Sequence, residues 1–468
     1  MFKRRENRTF PNSLDQIFNV SIGGVQNVLY RSMFRINVNE EIKIMKRLFK
    51  GVSVGLLGCA LMFSALTSSA DRSVKVLGWG AQSGPLKSFG VNSETALRSA
   101  VAEINAAGGV KLGDGTMVPI EVIGYEDSAC KKDQNIAILR KTASTTDAIV
   151  AMGTTCSGAC QAMFGVLQKK VGDASDSGLQ MPMLADTCIR PGLAKISEWA
   201  FRNVPNEIAM YDALFAWLSQ QHPGIKTFSG GTETDQGHSF ITHTKVIVQA
   251  AIRHGFEWVG PAVPELGPKV GQGAKELQAA TKTQHWLMGD TNYSVQARKI
   301  KKQNPDMVLV SSHPFSACGF LKEMKRQRVK PKLLVGLTSS ASQETLNGCM
   351  KEAEGIIIPT GFAPITPAAQ KANEIVSKAG GFLDLHSAAA WENAYLVKAA
   401  VEAAGISANP ENLAEDRAKF RNALAGITAI EGLIGPVTRD TASGEASKPY
   451  VYVQVVDGKW EVIHDPRG

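Results

Sequence analysis

Ser157 is the side chain of this sequence best placed to hold a ligand. It stands in Gly153–Gly158 (GTTCSG), where the apolar run Ala148–Met152 ends and a helical pattern begins. A strand that runs into a helix leaves N–H groups of the first turn unpaired. Those groups, with a nearby hydroxyl, bind a carboxylate. Thr155 and Gly158 share that turn. Ser157 also suits the cap of its own helix, and one hydroxyl can serve both roles. Asp186, Thr187 and Arg190 follow the short apolar run Pro182–Ala185, and Ser312, His313 and Phe315 follow Met307–Ser311. Gln82 and Ser83 follow Val74–Gly80. All of this is recognition chemistry rather than bond making. There is no G-x-S-x-G elbow, His238 and His243 lack an H-E-x-x-H frame, and no Lys-Ser/Thr follows the glycines of Gly153–Gly158, so hydrolase, zincin and phosphate-loop readings fail. Glu126 and Asp127 lie in a turn without an evident partner. No enzyme activity, cofactor or metal is expected.

The elements that must position these residues alternate. Strands are expected at Val74–Gly80, Ile120–Tyr125, Ala148–Met152, Pro182–Ala185 and Ala200–Val204. Helices lie between them: one capped by Ser93 and stopped at Gly108–Gly109, then Asn135–Thr142 and Gln161–Lys170. The pattern restarts with helix Ile208–Gln220, strand Ile225–Ser229, helix Ser239–His254 and a strand near Trp258–Val263. Helix Val295–Gln303, strand Met307–Ser311, helix Gly319–Arg328 and strands Leu333–Leu337 and Gly355–Thr360 follow. A long helix at Ser387–Ala404 and a hairpin at Tyr450–Ile463, turning at Asp457–Gly458, close the chain. Such alternation means α/β architecture, with parallel sheets covered on both faces. Ligands of open parallel sheets sit beyond the carboxyl ends of the strands, where the residues above cluster.

The N-terminal part reads as an export signal. In Met45–Ala70, Lys46, Arg47 and Lys50 precede an apolar, small-residue run, and Ser68 and Ala70 suit a cut before Asp71. Residues 1–44 form an extension that no secretory signal needs and that need not be translated. A lipidated Cys59 (LLGC) is the lesser expectation, because the apolar run continues through Leu66. Residues 1–70 hold 10 Lys and Arg against 4 Asp and Glu, whereas residues 71–468 hold 41 against 39. The basic character therefore sits mostly in the removable part and argues against a nucleic-acid partner. The cluster Lys322, Lys325, Arg326, Arg328, Lys330 and Lys332 reads as a solvated helix face and end. Six cysteines remain after Asp71: Cys130, Cys156, Cys160, Cys188, Cys318 and Cys349. An even count in an exported chain favours disulfides, with about fifteen pairings open.

Val74–Pro85 (VKVLGWGAQSGP), Ile104–Val110 (INAAGGV), Tyr125–Cys130 (YEDSAC), Met152–Gln161 (MGTTCSGACQ), Pro182–Pro191 (PMLADTCIRP), Met307–Ser312 (MVLVSS) and Ile434–Pro436 (IGP) stand in a telling order. Over residues 73–465 the chain resembles the type I periplasmic solute-binding proteins of ABC importers, in particular the branched-chain amino-acid (leucine/isoleucine/valine) receptors. The resemblance implies two doubly wound parallel-sheet lobes joined by a hinge: residues 73–205 with 360–438, and 206–359 with 439–465. It implies a monomer in the periplasm that closes on a small solute and delivers it to an ABC permease and its ATPase. A sensory protein that passes the same closure to a membrane kinase or chemoreceptor is the alternative. Ser157 falls on the family's ligand-contacting serine, and Thr234 and Asp235 (TETDQG) fall where relatives place a contact. The receptors' disulfide implies Cys130–Cys156, with Cys160–Cys188 and Cys318–Cys349 as weaker pairings. One departure bears on the ligand. The acidic residue that holds the ligand ammonium in the amino-acid receptors aligns with Thr338, and the cleft tyrosines are replaced by His313 and the Thr234 region. A buried ammonium without a counter-ion costs several kcal/mol. The expected ligand is therefore a small polar or carboxylate-bearing solute, and a true amino acid would need Asp186 or Asp235 as a substitute.

Overall fold

In the computed structural model the described residues are 72–260, 283–440 and 444–468. Asp71–Gly468 forms one compact unit. The extension, the export signal with Cys59, and positions 261–263 of the strand expected near Trp258–Val263 lie outside the described residues. No helix among the described residues is long and apolar enough to cross a membrane.

Two parallel sheets organise the chain. The first has five strands in the spatial order Ile120–Asp127, Val74–Gly80, Val150–Gly153, Met183–Ala185, Ala200–Arg202. Val74–Gly80 pairs in parallel with strands on both sides. The order of the strands therefore reverses beside it, and a doubly wound sheet opens a crevice at that point. The second sheet repeats the device. Thr227–Glu233 is flanked on one edge by Glu257–Trp258 and Gln284–Trp286 and on the other by Met307–Ser311, followed by Leu333–Gly336 and Ile356–Thr360. The C-terminal hairpin, Val451–Val456 and Lys459–His464, adds two antiparallel strands to the far edge.

Each sheet buries both faces. Val74, Val76, Val150 and Met152 pack with Leu97, Ala100, Val101 and Ile104 of helix Lys87–Ala106 and with the alanine face of helix Leu385–Ala404. That long helix is set by an Asp384/Ser387 capping box and ends at Gly405 in the left-handed region, φ 59°. Helices Pro367–Lys378 and Leu413–Gly426 cover the same core. A small antiparallel ribbon, Ala429–Gly432, Gly435–Arg439 and Ala446–Ser447, stays with it through Leu433 and Ile434. Residues 446–447 pair with Gly435–Arg439, whereas the hairpin beyond them pairs with the second sheet.

Several expected boundaries move. Helix Lys87–Ala106 starts six residues before Ser93, which is buried within it and caps nothing. The segment after Ser157 is helical at Ser157–Phe164, starting earlier than Gln161 and ending before Gly165. Helix Pro314–Arg326 starts at a proline in its first turn, where the missing N–H is not needed, rather than at Gly319. The Ser239–His254 helix is instead Gly237–Thr242 and Val248–Arg253, joined by a π-turn at His243–Ile247.

Candidate functional site: a histidine-lined cleft

The strand ends at the two reversal points face each other across a cleft of about 560 Å³. That volume suits a small organic solute. Gly153 makes the first wall possible. Its φ is 108°, and a Cβ there would lie 2.0 Å from the Trp79 carbonyl oxygen. The chain can therefore leave Val150–Gly153 tightly against its neighbour and present Thr155, Ser157 and Gly158 to the cleft. Ser157 accepts the backbone N–H of Arg190 at 3.2 Å, so its own O–H remains to donate. Arg202 fixes the same loop from behind, donating to the carbonyls of Cys188 (2.5 Å) and Arg190 (2.8 Å). Thr187 and Arg190 line the cleft from this loop.

Arg190 is only 8% exposed, and its side chain makes no ion pair or hydrogen bond among the described residues. Burial and the neighbouring Arg202 push its pKa down, so the site resists the guanidinium charge rather than balancing it. Arg190 also nears the opposite wall, where a Cβ on Gly237 would be 4.0 Å from its Nη1.

The second wall is built on two buried carboxylate–histidine pairs. Glu207 opens helix Glu207–Gln221 and accepts from His238 Nε2 (2.8 Å), Thr242 (2.8 Å) and Thr338 (2.6 Å). Glu233 ends strand Thr227–Glu233 and accepts from His313 Nδ1 (2.6 Å), Ser239 (2.7 Å) and the His313 backbone N–H (3.3 Å). Burial opposes both charges, but the paired imidazole, its hydrogen bond and the hydroxyl donors outweigh it and hold both carboxyls below their usual range. An ionised carboxylate only accepts, so each histidine gives it an N–H. His238 Nδ1 and His313 Nε2 are then the ring atoms left for a ligand. The two rings lie 5.7 Å apart.

His386, at the start of helix Leu385–Ala404, completes the lining. Its Nδ1 is hydrogen-bonded to Thr187 Oγ1, and its buried Nε2 has no partner among the described residues. Burial, then the charges of His313 and His238, push its pKa well down, so this third ring is neutral. Phe89 packs on it with centroids 4.2 Å apart. Among the described residues that line the cleft itself, Asp235 is the one acid; it accepts the Met288 N–H at 2.9 Å, and burial raises its pKa.

Seven expected residues thus meet in the cleft: Thr155, Ser157, Gly158, Thr187, Arg190, Asp235 and His313. The others lie elsewhere. Thr338 is fully buried behind the wall, bonded to Glu207 and Tyr211, and reaches the cleft only through His238. Thr234 is also buried, donating to the Trp286 carbonyl at 3.4 Å. Asp186 points into the first lobe toward Asn393, 3.5 Å away, and burial pushes its pKa up to about 7. Phe315 is 48% exposed and lines a neighbouring cavity of about 510 Å³. Ser83 lies exposed in the first loop, outside both cavities. Sequence reasoning missed His238, His386 and Phe89. His238 lies five residues beyond the end of strand Thr227–Glu233, in the first turn of helix Gly237–Thr242, and that helix start after a strand end is its sequence signal. The cap at Asp384, which brings His386 to a helix start, was the signal for that residue.

The six cysteines are joined as Cys130–Cys156, Cys160–Cys188 and Cys318–Cys349, with Cα separations of 5.8, 6.2 and 5.2 Å. The first pair borders the cleft beside Ser157.

A profile of the periplasmic binding protein family matches residues 73–459. The Leu/Ile/Val-binding protein of Escherichia coli K12 is 36% identical over 107 residues, which span 23% of this chain and 27% of that protein. The match thus covers about a quarter of the curated relative. Among solved structures, the leucine-binding protein LivK of Thermotoga maritima superposes with a TM-score of 0.67 at 16% identity, covering 84% of this chain and 99% of that one. A solute-binding protein of an R. palustris ABC transporter, solved with benzoate, superposes at 0.61 and 15%, covering 84% and 96%. At such identities the superpositions establish the shared fold, and the profile match establishes the kinship: the chain belongs to the periplasmic binding protein family.

Proposed function

We propose that this protein is the exported receptor of an ABC importer and captures a small carboxylate-bearing solute between its two lobes. Arg190 carries the reading: a nearly buried guanidinium without a carboxylate partner among the described residues, beside the free hydroxyl of Ser157 and the outward nitrogens of His238 and His313. An anion at this point meets the Arg190 guanidinium and the Ser157 hydroxyl, whereas among the described residues lining the cleft an ammonium has Asp235 alone to meet. The ligand therefore carries an acid and need not carry an amine. Phe89 and the neutral His386 supply a flat apolar flank for its body. Benzoate and leucine in the names of the two structural relatives are consistent with a carboxylate as the common handle.

The protein performs no chemistry. Ser157, Thr187 and Arg190 on one lobe and His238 and His313 on the other engage the ligand together only when the lobes are closed, so binding shifts the open–closed equilibrium. The permease and ATPase are separate chains that read the closed form. Purified residues 71–468, screened by thermal shift against aliphatic amino acids, aromatic acids, dicarboxylates, amides and urea-like solutes, test this. A ligand at about 100 times its dissociation constant adds roughly 2.7 kcal/mol. Hits confined to carboxylates support the reading; hits confined to amides or neutral solutes refute it.

A further inference from the structure

One stretch of the second lobe is strongly basic. Residues 291–332 hold ten Lys and Arg against two Asp and Glu, whereas the rest of 71–468 holds 31 against 37. All ten cations are exposed: Arg298, Lys299, Lys301 and Lys302 on helix Ser294–Gln303, and the six from Lys322 to Lys332 on helix Pro314–Arg326 and the turn after it. The two helices are neighbours, since Lys301 Nζ donates to the Gln327 carbonyl at 2.8 Å. Both acids of the stretch are half-buried and engaged. Asp306 pairs with Lys332 at 2.7 Å and accepts the Lys226 N–H at 2.9 Å; Glu323 pairs with Arg326 at 2.6 Å. Glu352 reaches Lys325 from outside at 3.1 Å. Arg298, Lys299, Lys302, Lys322, Arg328 and Lys330 form no salt bridge among the described residues.

We propose that this basic pole adsorbs the receptor to an anionic lipid surface, holding it at the membrane where its transporter partner resides. The helix dipole accounts for a cation or two in each last turn, but not for ten across two helices and a turn. The choice of cation favours lipid over protein. Seven of the ten are lysine, a residue depleted from protein interfaces, and lysine-rich clusters suit diffuse attraction to phosphate headgroups. The position fits as well. Lys332 and Asp306 immediately precede strands Leu333–Gly336 and Met307–Ser311, whereas the cleft lies beyond the other ends of the second sheet's strands. A five-residue strand spans roughly 16 Å, so the adsorbed protein keeps its cleft free.

The test uses the compact unit 71–468, which lacks the basic N-terminal 70 residues, with phosphatidylglycerol/phosphatidylcholine vesicles and with phosphatidylcholine alone. Cosedimentation is expected with the anionic vesicles only, weakening about tenfold or more as salt shortens the screening length from ~30 Å at 0.01 M to ~8 Å at 0.15 M. The variant Lys299→Glu/Lys302→Glu/Arg328→Glu/Lys330→Glu, confined to cations without an ion pair among the described residues, is expected to lose that binding while keeping the wild-type melting temperature and any ligand-induced thermal shift. Three results overturn the proposal: no binding to anionic vesicles at low salt, equal binding by the variant, or displacement by polyglutamate at charge concentrations well below the lipid's, which marks an acidic protein as the partner. None of them touches the cleft reading, which the thermal-shift screen judges alone.

Discussion

Replacing Glu233 by Gln isolates the logic of the second wall. Glu233 is fully buried and accepts hydrogen bonds from His313 Nδ1 at 2.6 Å and Ser239 at 2.7 Å. Glutamine keeps the shape but puts a neutral amide where carboxylate oxygens accept from His313 Nδ1 and Ser239. A hydrogen bond to a charged acceptor contributes about 1.5–3 kcal/mol, so the urea-induced unfolding free energy is expected to fall by about that much. The His313 ring loses the acceptor that fixes its orientation toward the cleft, so calorimetric affinity for the carboxylate ligand is expected to fall roughly tenfold, about 1.4 kcal/mol. Glu233→Gln, His313→Gln and the double variant form a cycle whose coupling is expected to exceed about 1 kcal/mol. An unfolding free energy within about 0.5 kcal/mol of wild type, with unchanged affinity, refutes the pair as the support of the cleft.

Other expectations follow from the same geometry. Ser157→Ala removes the acceptor of the Arg190 N–H and the hydroxyl donor together; affinity is expected to drop by about 1–3 kcal/mol with little change in melting temperature. Asp186→Asn replaces a carboxyl that burial raises to about 7. The unfolded chain gives up that proton near 3.8, so native Asp186 costs stability increasingly from there up to about pH 7. The asparagine variant is therefore expected to melt higher at pH 8 with unchanged ligand affinity. Acid acts at the other residues. His386 stays neutral when folded but gains a proton below 6.5 when unfolded, so its share of stability falls as pH drops through 6.5. Glu207 and Glu233 contribute fully above 4.5, and that contribution is lost below it. A melting-temperature profile that stays flat from pH 7 to 5 contradicts the His386 assignment, and one that stays flat from pH 4.5 to 2.5 contradicts the glutamate assignment. Non-reducing peptide mapping is expected to recover Cys130 with Cys156; Cys130→Ser/Cys156→Ser is expected to cost about 2–4 kcal/mol.

The fold was legible because strand–helix alternation survives in apolar runs such as Val74–Gly80 and Met307–Ser311, whose buried faces leave little choice of element. Helix ends were less legible. Ser93 looks like a cap but packs inside a helix, because tertiary burial overrides local preference. The π-turn at His243–Ile247 has no sequence signature of its own. The first wall was readable because its contacts lie within a few residues of one strand end. The second was not, because its key groups act through pairs distant in sequence: Glu207 with His238 and Thr338, Glu233 with His313. Thr338 illustrates the point. Alignment to a ligand-binding acid marked it as a contact, whereas its hydroxyl serves the carboxylate that holds a histidine.

The central claim is that an anionic carboxylate bridges Arg190 and the two histidines. Calorimetry on the best acid from the thermal-shift screen, beside its primary amide and against Arg190→Gln, tests it most directly. The acid is expected to bind wild type at least about a hundredfold more tightly than the amide, and Arg190→Gln is expected to abolish most of that preference. Equal binding of acid and amide, or a preference that survives the loss of Arg190, contradicts the account.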